Sequence, residues 1–314
     1  MSRLSHIYPT DRVTLREVGL RDGLQLVKQF PSTTAKLDWL ARERAAGVRH
    51  FELGSFLPAS RFPQFADLPE LLAAATALPD LHSAALTLNE RGVAAALAAP
   101  VNELVCVVSA SEAHSQANIR RSQADSVALV ARAAAERDAA APDKLVNAGI
   151  AMALGCSISG VVDPQDVLRL AGACLDAGAD IVGIADTVGY AGPRQVGQLC
   201  AAMDRLCDGR PFIVHLHDTR GMGIANAAAA LDNGARVLDG ALGGLGGCPF
   251  APGATGNVAF EDLVFLCETM GFATGIDLEA LIPVRDIAAT EMPDETLFGA
   301  IARSGPPPNM PWQA

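Results

Sequence analysis

One pattern limits the fold before any single residue is considered. Short apolar runs of strand character alternate with longer segments of helical periodicity, eight times over. The strand-like runs are VTLREVGL (13–20), VRHFELGSF (48–56), HSAALTL (82–88) and NELVCVVSA (102–110). LVNAGIAMAL (145–154), ADIVGIADT (179–187), PFIVHLHDT (211–219) and ARVLDGALGG (235–244) complete the set. Helical patterns follow at 34–47, 67–77, 90–98, 122–141, 164–177, 193–206, 222–233 and 258–270. Eight strand-then-helix units predict a parallel sheet closed into a (β/α)8 TIM barrel. Gly47, Gly178 and Gly234 sit where helix C-caps are expected. The competing architecture is an open doubly wound sheet, but no G-x-G-x-x-G follows the first strand and no G-K-[ST] phosphate loop occurs.

The 314 residues are expected to form a single domain: a barrel over about 13–270 and a C-terminal extension, 271–314, of short helices ending in the proline-rich SGPPPNMPWQA. Half of the residues are hydrophobic, ample for one large core, and the formal net charge is −11, which argues against a nucleic-acid partner. No apolar run is long enough to span a bilayer, and MSRLSHIYPTDR lacks the apolar centre of a signal peptide, so a cytoplasmic location is expected. The seven cysteines (106, 156, 174, 200, 207, 248, 267) form no C-x-x-C pair and read as reduced and mostly buried.

In such a barrel, reacting groups gather where strands end. The polar clusters of this chain keep to those places. Arg21-Asp22 follows the first strand, Glu52 and Ser55 close the second, and Asp186 closes the sixth. His215 and His217 close the seventh, and the glycine-rich GGLGGCPFAPGATGN (243–257), with Cys248 and Asn257, follows the eighth. His215 and His217 are two apart on a strand, so they face the same way. With Asp22 and Asn257 they make a donor set suited to Mg2+, Mn2+ or another first-row divalent ion. Each residue alone has a plainer reading. The histidines could bond to backbone, Asp22 could serve the turn before Gly23, and Asn257 or Asp186 could cap a helix. Arg21 could stabilise a developing oxyanion, and pairing with Glu52 would resolve a buried carboxylate, though the same pair could be purely structural. Cys248 could act as an acid or base in a loop that folds over a ligand, or be a loop cysteine without a role. Cys156 reads as structural.

These motifs resemble the 3-hydroxy-3-methylglutaryl-CoA lyase family of the DRE-TIM metallolyase superfamily, from about Val13 to about Gly275. The matching segments are EVGLRDGLQ (17–25), FELGSF (51–56), SASEAHSQANI (109–119), ALGC (153–156), ADTVG (185–189), HLHDTRG (215–221) and GGLGGCPFAPGATGNVAFEDLV (243–264). The resemblance implies a divalent cation on Asp22, His215, His217 and Asn257. It also implies enolate stabilisation by Arg21, proton transfer by Cys248, support from Asp186 and Glu52, and Gln25 beside the substrate. A CoA thioester cleaved to acetyl-CoA, a place in leucine catabolism and a homodimer or larger homo-oligomer are implied as well. The competing functions are an acetyl-CoA/2-oxo acid condensing enzyme of the same superfamily and a non-catalytic CoA-ligand-binding barrel.

Four departures from the family pattern stand out. Leu53 and Gly54 replace Ala and Thr, Gly183 replaces Ser, Ser157 replaces Pro, and Arg220 replaces Tyr. Leu53, Gly54 and Gly183 are expected near the acyl site. Arg220 is a candidate reader of an extra carboxylate or a CoA phosphate, or a solvated surface arginine.

Overall fold

A computed structural model describes residues 3–246, 255–309 and 311–313. The strands are β1 (Thr14–Glu17), β2 (His50–Ser55), β3 (His82–Thr87), β4 (Glu103–Ser109), β5 (Leu145–Ala151), β6 (Ile181–Asp186), β7 (Ile213–Leu216) and β8 (Val237–Gly240). Each pairs in parallel with the next, and β8 returns to β1, so the expected (β/α)8 TIM barrel is the fold. The helices are α1 (Arg3–Ile7), α2 (Thr33–Ala45), α3 (Leu68–Ala77), α4 (Glu90–Ala98), α5 (Glu112–Ile119), α6 (Gln123–Ala140) and α7 (Pro164–Asp176). They continue with α8 (Pro193–Cys207), α9 (Gly223–Asp232), α10 (Phe260–Thr269), α11 (Leu278–Leu281), α12 (Arg285–Glu291) and α13 (Ile301–Ser304). Ser32, Asn89, Ser122 and Asp163 accept first-turn N–H groups at the starts of α2, α4, α6 and α7. Gly47, Gly178 and Gly234 end α2, α7 and α9 with φ of 109°, 96° and 96°, the C-caps expected of them.

Two helices were not legible. The five-residue α1 is too short to show a period, yet its Leu4 and the following Tyr8 pack against Leu145, Ile181, Ile213 and Val237. Those four open β5 to β8, so the segment plugs the N-terminal mouth of the barrel. The polar α5 buries only Ser115, so no apolar stripe marks it in the sequence.

Beneath the site, Glu103 is the hub of a buried polar floor. It accepts from Tyr8 Oη at 2.7 Å, Asn147 Nδ2 at 2.7 Å and Arg16 Nη1 at 3.2 Å, with His82 Nε2 at 3.0 Å. Burial alone would raise its pKa. The Arg16 charge and the bonds from His82 and Tyr8 outweigh burial and bring it to about 2.

Glu17, the residue after Arg16, faces the helix layer instead. Its Oε1 accepts from Gly19 N and Leu242 N, both at 2.9 Å, and so ties the turn after β1 to the loop after β8. Glu43 of α2 lies buried near it. Burial raises both carboxyls; repulsion from Glu261 adds to it at Glu17, which reaches about 8, and repulsion from Glu17 adds to it at Glu43.

β2 carries a bulge. Glu52 pairs with Ala84, but the next partner of Ala85 is Gly54, and Ser55 then pairs with Leu86. Leu53 is the extra residue. A Cβ on Gly54 would lie 3.0 Å from Leu68 Cδ1 of α3, so this position faces the helices. Gly54 therefore turns away from the interior, and the bulge at Leu53 resets the strand so that both Glu52 and Ser55 face inward.

Two outcomes follow for stability. Glu103→Ala should destabilise the fold by about 3–5 kcal/mol, because it removes a carboxylate from the buried Arg16 and the acceptor of Tyr8 Oη and Asn147 Nδ2, and urea denaturation would measure this. The pH profile should weaken on both sides. Glu103 contributes stability that is present above its ordinary 4.5 and lost as pH falls through about 2. Glu17 is held protonated, so its contribution declines as pH rises from 4.5 and is gone above about 8. Melting temperatures between pH 5 and 9 should fall less steeply in Glu17→Gln than in the unsubstituted protein.

Candidate metal centre and active site

The turn after β1 is wide. The N–H groups of Arg21, Asp22 and Gly23 all converge on Val18 O, at 3.1, 2.7 and 3.1 Å. It presents Arg21 and Asp22 at the C-terminal mouth. His215 lies on β7 and His217 directly beyond it, and both inner-face side chains reach Asp22. Asp22 Oδ2 is 3.8 Å from His215 Nε2 and 3.5 Å from His217 Nε2. One ligand atom from each of the three lies within 4.8 Å of the other two.

Asn257 joins them from the loop after β8, where it bridges to His217 through the backbone. Its Nδ2 donates to Asp22 Oδ2 at 2.8 Å and to Leu245 O at 2.9 Å, while its Oδ1 is buried with no partner among the described residues. Gly246 makes this approach possible. Its φ is 98°, and a Cβ there would stand 2.5 Å from Asn257 Nδ2 and 3.0 Å from Asp22 O. A carboxylate, two imidazoles and an orphaned amide oxygen fit a divalent cation of the Mg2+ or Mn2+ type. Asn257 is thus at the cluster rather than at a helix start, since α10 begins three residues later.

Arg21 stands beside this cluster. Its Nε is 2.9 Å from Glu52 Oε2, its Nη1 is 2.5 Å from Asp22 Oδ1, and Nη1 also donates to Gln25 Oε1 at 3.1 Å. Burial would raise the Asp22 pKa, but Arg21, His217 and His215 hold it well below the carboxylate range. Burial prevails at Glu52, whose pKa stays raised despite Arg21 and Arg16, and its Oε1 has no hydrogen-bond partner among the described residues. Ser55 Oγ, buried on the inner face, donates to Leu86 O at 3.4 Å. Gln25 is exposed at the rim.

The remaining expectations separate. Asp186 accepts from Tyr190 N at 2.9 Å and Ala191 N at 3.1 Å, so it closes the loop after β6; it does not cap α8, whose N-cap is Gly192. Arg220 is exposed, donates to Val188 O at 2.8 Å and Gly189 O at 3.1 Å, and lies 4.6 Å over the Tyr190 ring. It fastens two rim loops from the solvated surface. Cys248 lies outside the described residues. The six other cysteines are buried and free. Cys156 Sγ accepts from Ile158 N and Ser159 N and bonds Ser111 Oγ at 3.2 Å, which lowers its pKa against the effect of burial.

Asp239 was not anticipated. Its Oδ2 is 3.1 Å from His215 Nδ1, and its Oδ1 is 3.2 Å from Arg16 Nε. A carboxylate in the apolar run RVLDGAL, at inner-face parity, was the available signal.

Comparison with known proteins agrees with this geometry. The HMGL-like family model matches residues 12–288. An (R)-citramalyl-CoA lyase of Chloroflexus aurantiacus is 38% identical over 94% of this chain and 96% of its own length. A 3-hydroxy-3-isohexenylglutaryl-CoA/hydroxymethylglutaryl-CoA lyase of Pseudomonas aeruginosa is also 38% identical, over 86% of this chain and 90% of its own. The structure of an HMG-CoA lyase from Acinetobacter baumannii, in complex with coenzyme A and 3-methylmalate, superposes with a TM-score of 0.88. It is 34% identical, over 96% of this chain and 98% of that one. On its barrel, its rim cluster and this similarity over nearly its whole length, the chain belongs to the HMGL-like family.

Proposed function

We propose that this protein is a divalent-metal-dependent carbon–carbon lyase that releases acetyl-CoA and a 3-oxo acid from a 3-hydroxy-3-carboxymethyl acyl-CoA, in the cytoplasm. The observation that carries the reading is the meeting of Asp22, His215, His217 and the orphaned Asn257 Oδ1 beside an arginine held by Glu52. A cation on those four residues would acidify and orient the substrate's tertiary hydroxyl. Arg21 is placed to hold the thioester oxygen, onto which charge moves as the bond to the carbinol carbon breaks. Glu52 keeps the guanidinium fixed in position, so little reorganisation is needed as charge develops. By the family pattern, Cys248 returns a proton to the acetyl carbon.

The acyl group is read from the barrel wall next to His215. Ala185 is its neighbour across β6, and Gly149 and Gly183 are register partners on β5 and β6, with Val107 beside Gly149 on β4. Val107, Gly149, Ala151 and Ala185 are partly exposed although they lie on inner faces of a closed barrel. A Cβ on Gly149 would meet nothing nearer than Cys106 O at 3.9 Å. This open, apolar wall supports an alkyl substituent longer than methyl on the carbinol carbon.

A panel of CoA thioesters tests both parts: 3-hydroxy-3-methylglutaryl-CoA, its C3-ethyl and C3-butyl homologues, and citramalyl-CoA. Acetyl-CoA release should require Mg2+ or Mn2+, stop with EDTA and return on metal addition. The longer homologues should be turned over, and Gly149→Val should lower their kcat/KM by about 10- to 200-fold relative to the methyl substrate. No acetyl-CoA from any member would remove the lyase reading. Arg21→Gln should lower kcat by about 10²- to 10³-fold with a smaller change in KM, the pattern of a contact strengthened in the transition state.

A further inference from the structure

His215 and His217 stand together but are held differently. His217 Nδ1 is buried with no partner among the described residues, whereas His215 Nδ1 meets Asp239. Register explains this. Asp239 of β8 pairs with His215 of β7 on one side and with Arg16 of β1 on the other, so three adjacent strands set three inner-face side chains in one row. Arg16 is buried, with Nε on Asp239 and Nη1 on Glu103, and Glu103 is fixed in turn by Tyr8, His82 and Asn147. The row therefore rests on the barrel floor and ends at a metal-binding candidate.

We propose that Asp239, steadied by Arg16, is a positioning residue that orients His215 and keeps its Nε2 free to bind the cation. This inference rests on the metal reading given above. An imidazole binds a cation through an unprotonated nitrogen, so the other nitrogen must carry the proton. A carboxylate facing Nδ1 fixes both that tautomer and the ring plane, as outer carboxylates do at other metal–histidine sites. An amide in its place could present N–H instead of oxygen and favour the wrong tautomer. Arg16 holds Asp239 on the opposite oxygen, which keeps the row from rotating.

The experiment is Mn2+ binding to the metal-stripped full chain by isothermal titration calorimetry, with thermal melting alongside. The unsubstituted protein should bind Mn2+. Asp239→Asn should remain folded and bind about 10- to 100-fold more weakly. In Mg2+-loaded protein with 15N-labelled histidine, the His215 ring should report the Nδ1–H tautomer, and that signature should be lost or mixed in Asp239→Asn. Arg16→Lys keeps the charge but loses the planar fork, so it provides a second variant if the first does not fold. Its Mn2+ affinity should fall in the same direction. A folded variant that melts lower but binds Mn2+ within about twofold of the unsubstituted protein would overturn the inference alone, since a purely structural role predicts that result. Failure of the unsubstituted protein to bind Mn2+ would overturn the inference together with the metal reading beneath it.

Discussion

A negative charge at Asp22 is the constraint around which the mouth of the barrel is arranged. The carboxylate is largely removed from water, and alone it would take up a proton. It stays ionised because Arg21 adjoins it in sequence, two imidazoles approach from β7, and the Asn257 amide donates from the loop after β8. These contacts hold the ends of β1, β7 and β8 in fixed relation. The same requirement explains Gly246, since a side chain there would push Asn257 away. The acid that could bind a cation is therefore also what assembles the loops around it.

Orientation matters as much as identity. Arg16 and Glu17 are adjacent, yet one enters the barrel floor and the other enters the helix layer, because strand residues alternate. Glu52 and Ser55 are three apart and should face opposite sides of a regular strand. The extra residue Leu53 brings both inward. The family difference at Leu53 and Gly54 thus sits at the device that aims Glu52 toward Arg21, and the open wall proposed for the acyl group lies across the barrel, on β5 and β6.

The closed barrel and the rim cluster were legible because each has a one-dimensional signature. Strand–helix alternation repeats, and Arg21, Asp22, Glu52, His215 and His217 fall at the ends of apolar runs. Spacing alone yields a shared face for His215 and His217, and the structure places both on Asp22. What remained hidden depends on distant register. Asp239 acquires its role only when β8 pairs with β7 and β1, and Tyr8 only when the chain's first turn folds under strands more than a hundred residues away. The bonds from Tyr190 N and Ala191 N to Asp186 were hidden for a related reason, since a strand-end position does not disclose how the following loop folds back.

The molecule holds its buried acids in opposite senses, and the difference follows the partners each one meets. Inside, Glu103 and Asp22 are matched by Arg16 and Arg21 and remain charged, so each can fix a neighbour by direction as well as by attraction. In the helix layer, burial drives Glu17 and Glu43 toward the neutral form, and repulsion from Glu261 adds to it at both. A neutral acid can still accept the two N–H groups that tie the loop after β8 to the turn bearing Asp22, without placing a second negative field behind the cation ligands. Neutral Glu17 anchors the turn and ionised Asp22 provides its charge. Exchanging those states would weaken the anchor and the Asp22 cluster together, which ties the helix layer to the mouth of the barrel.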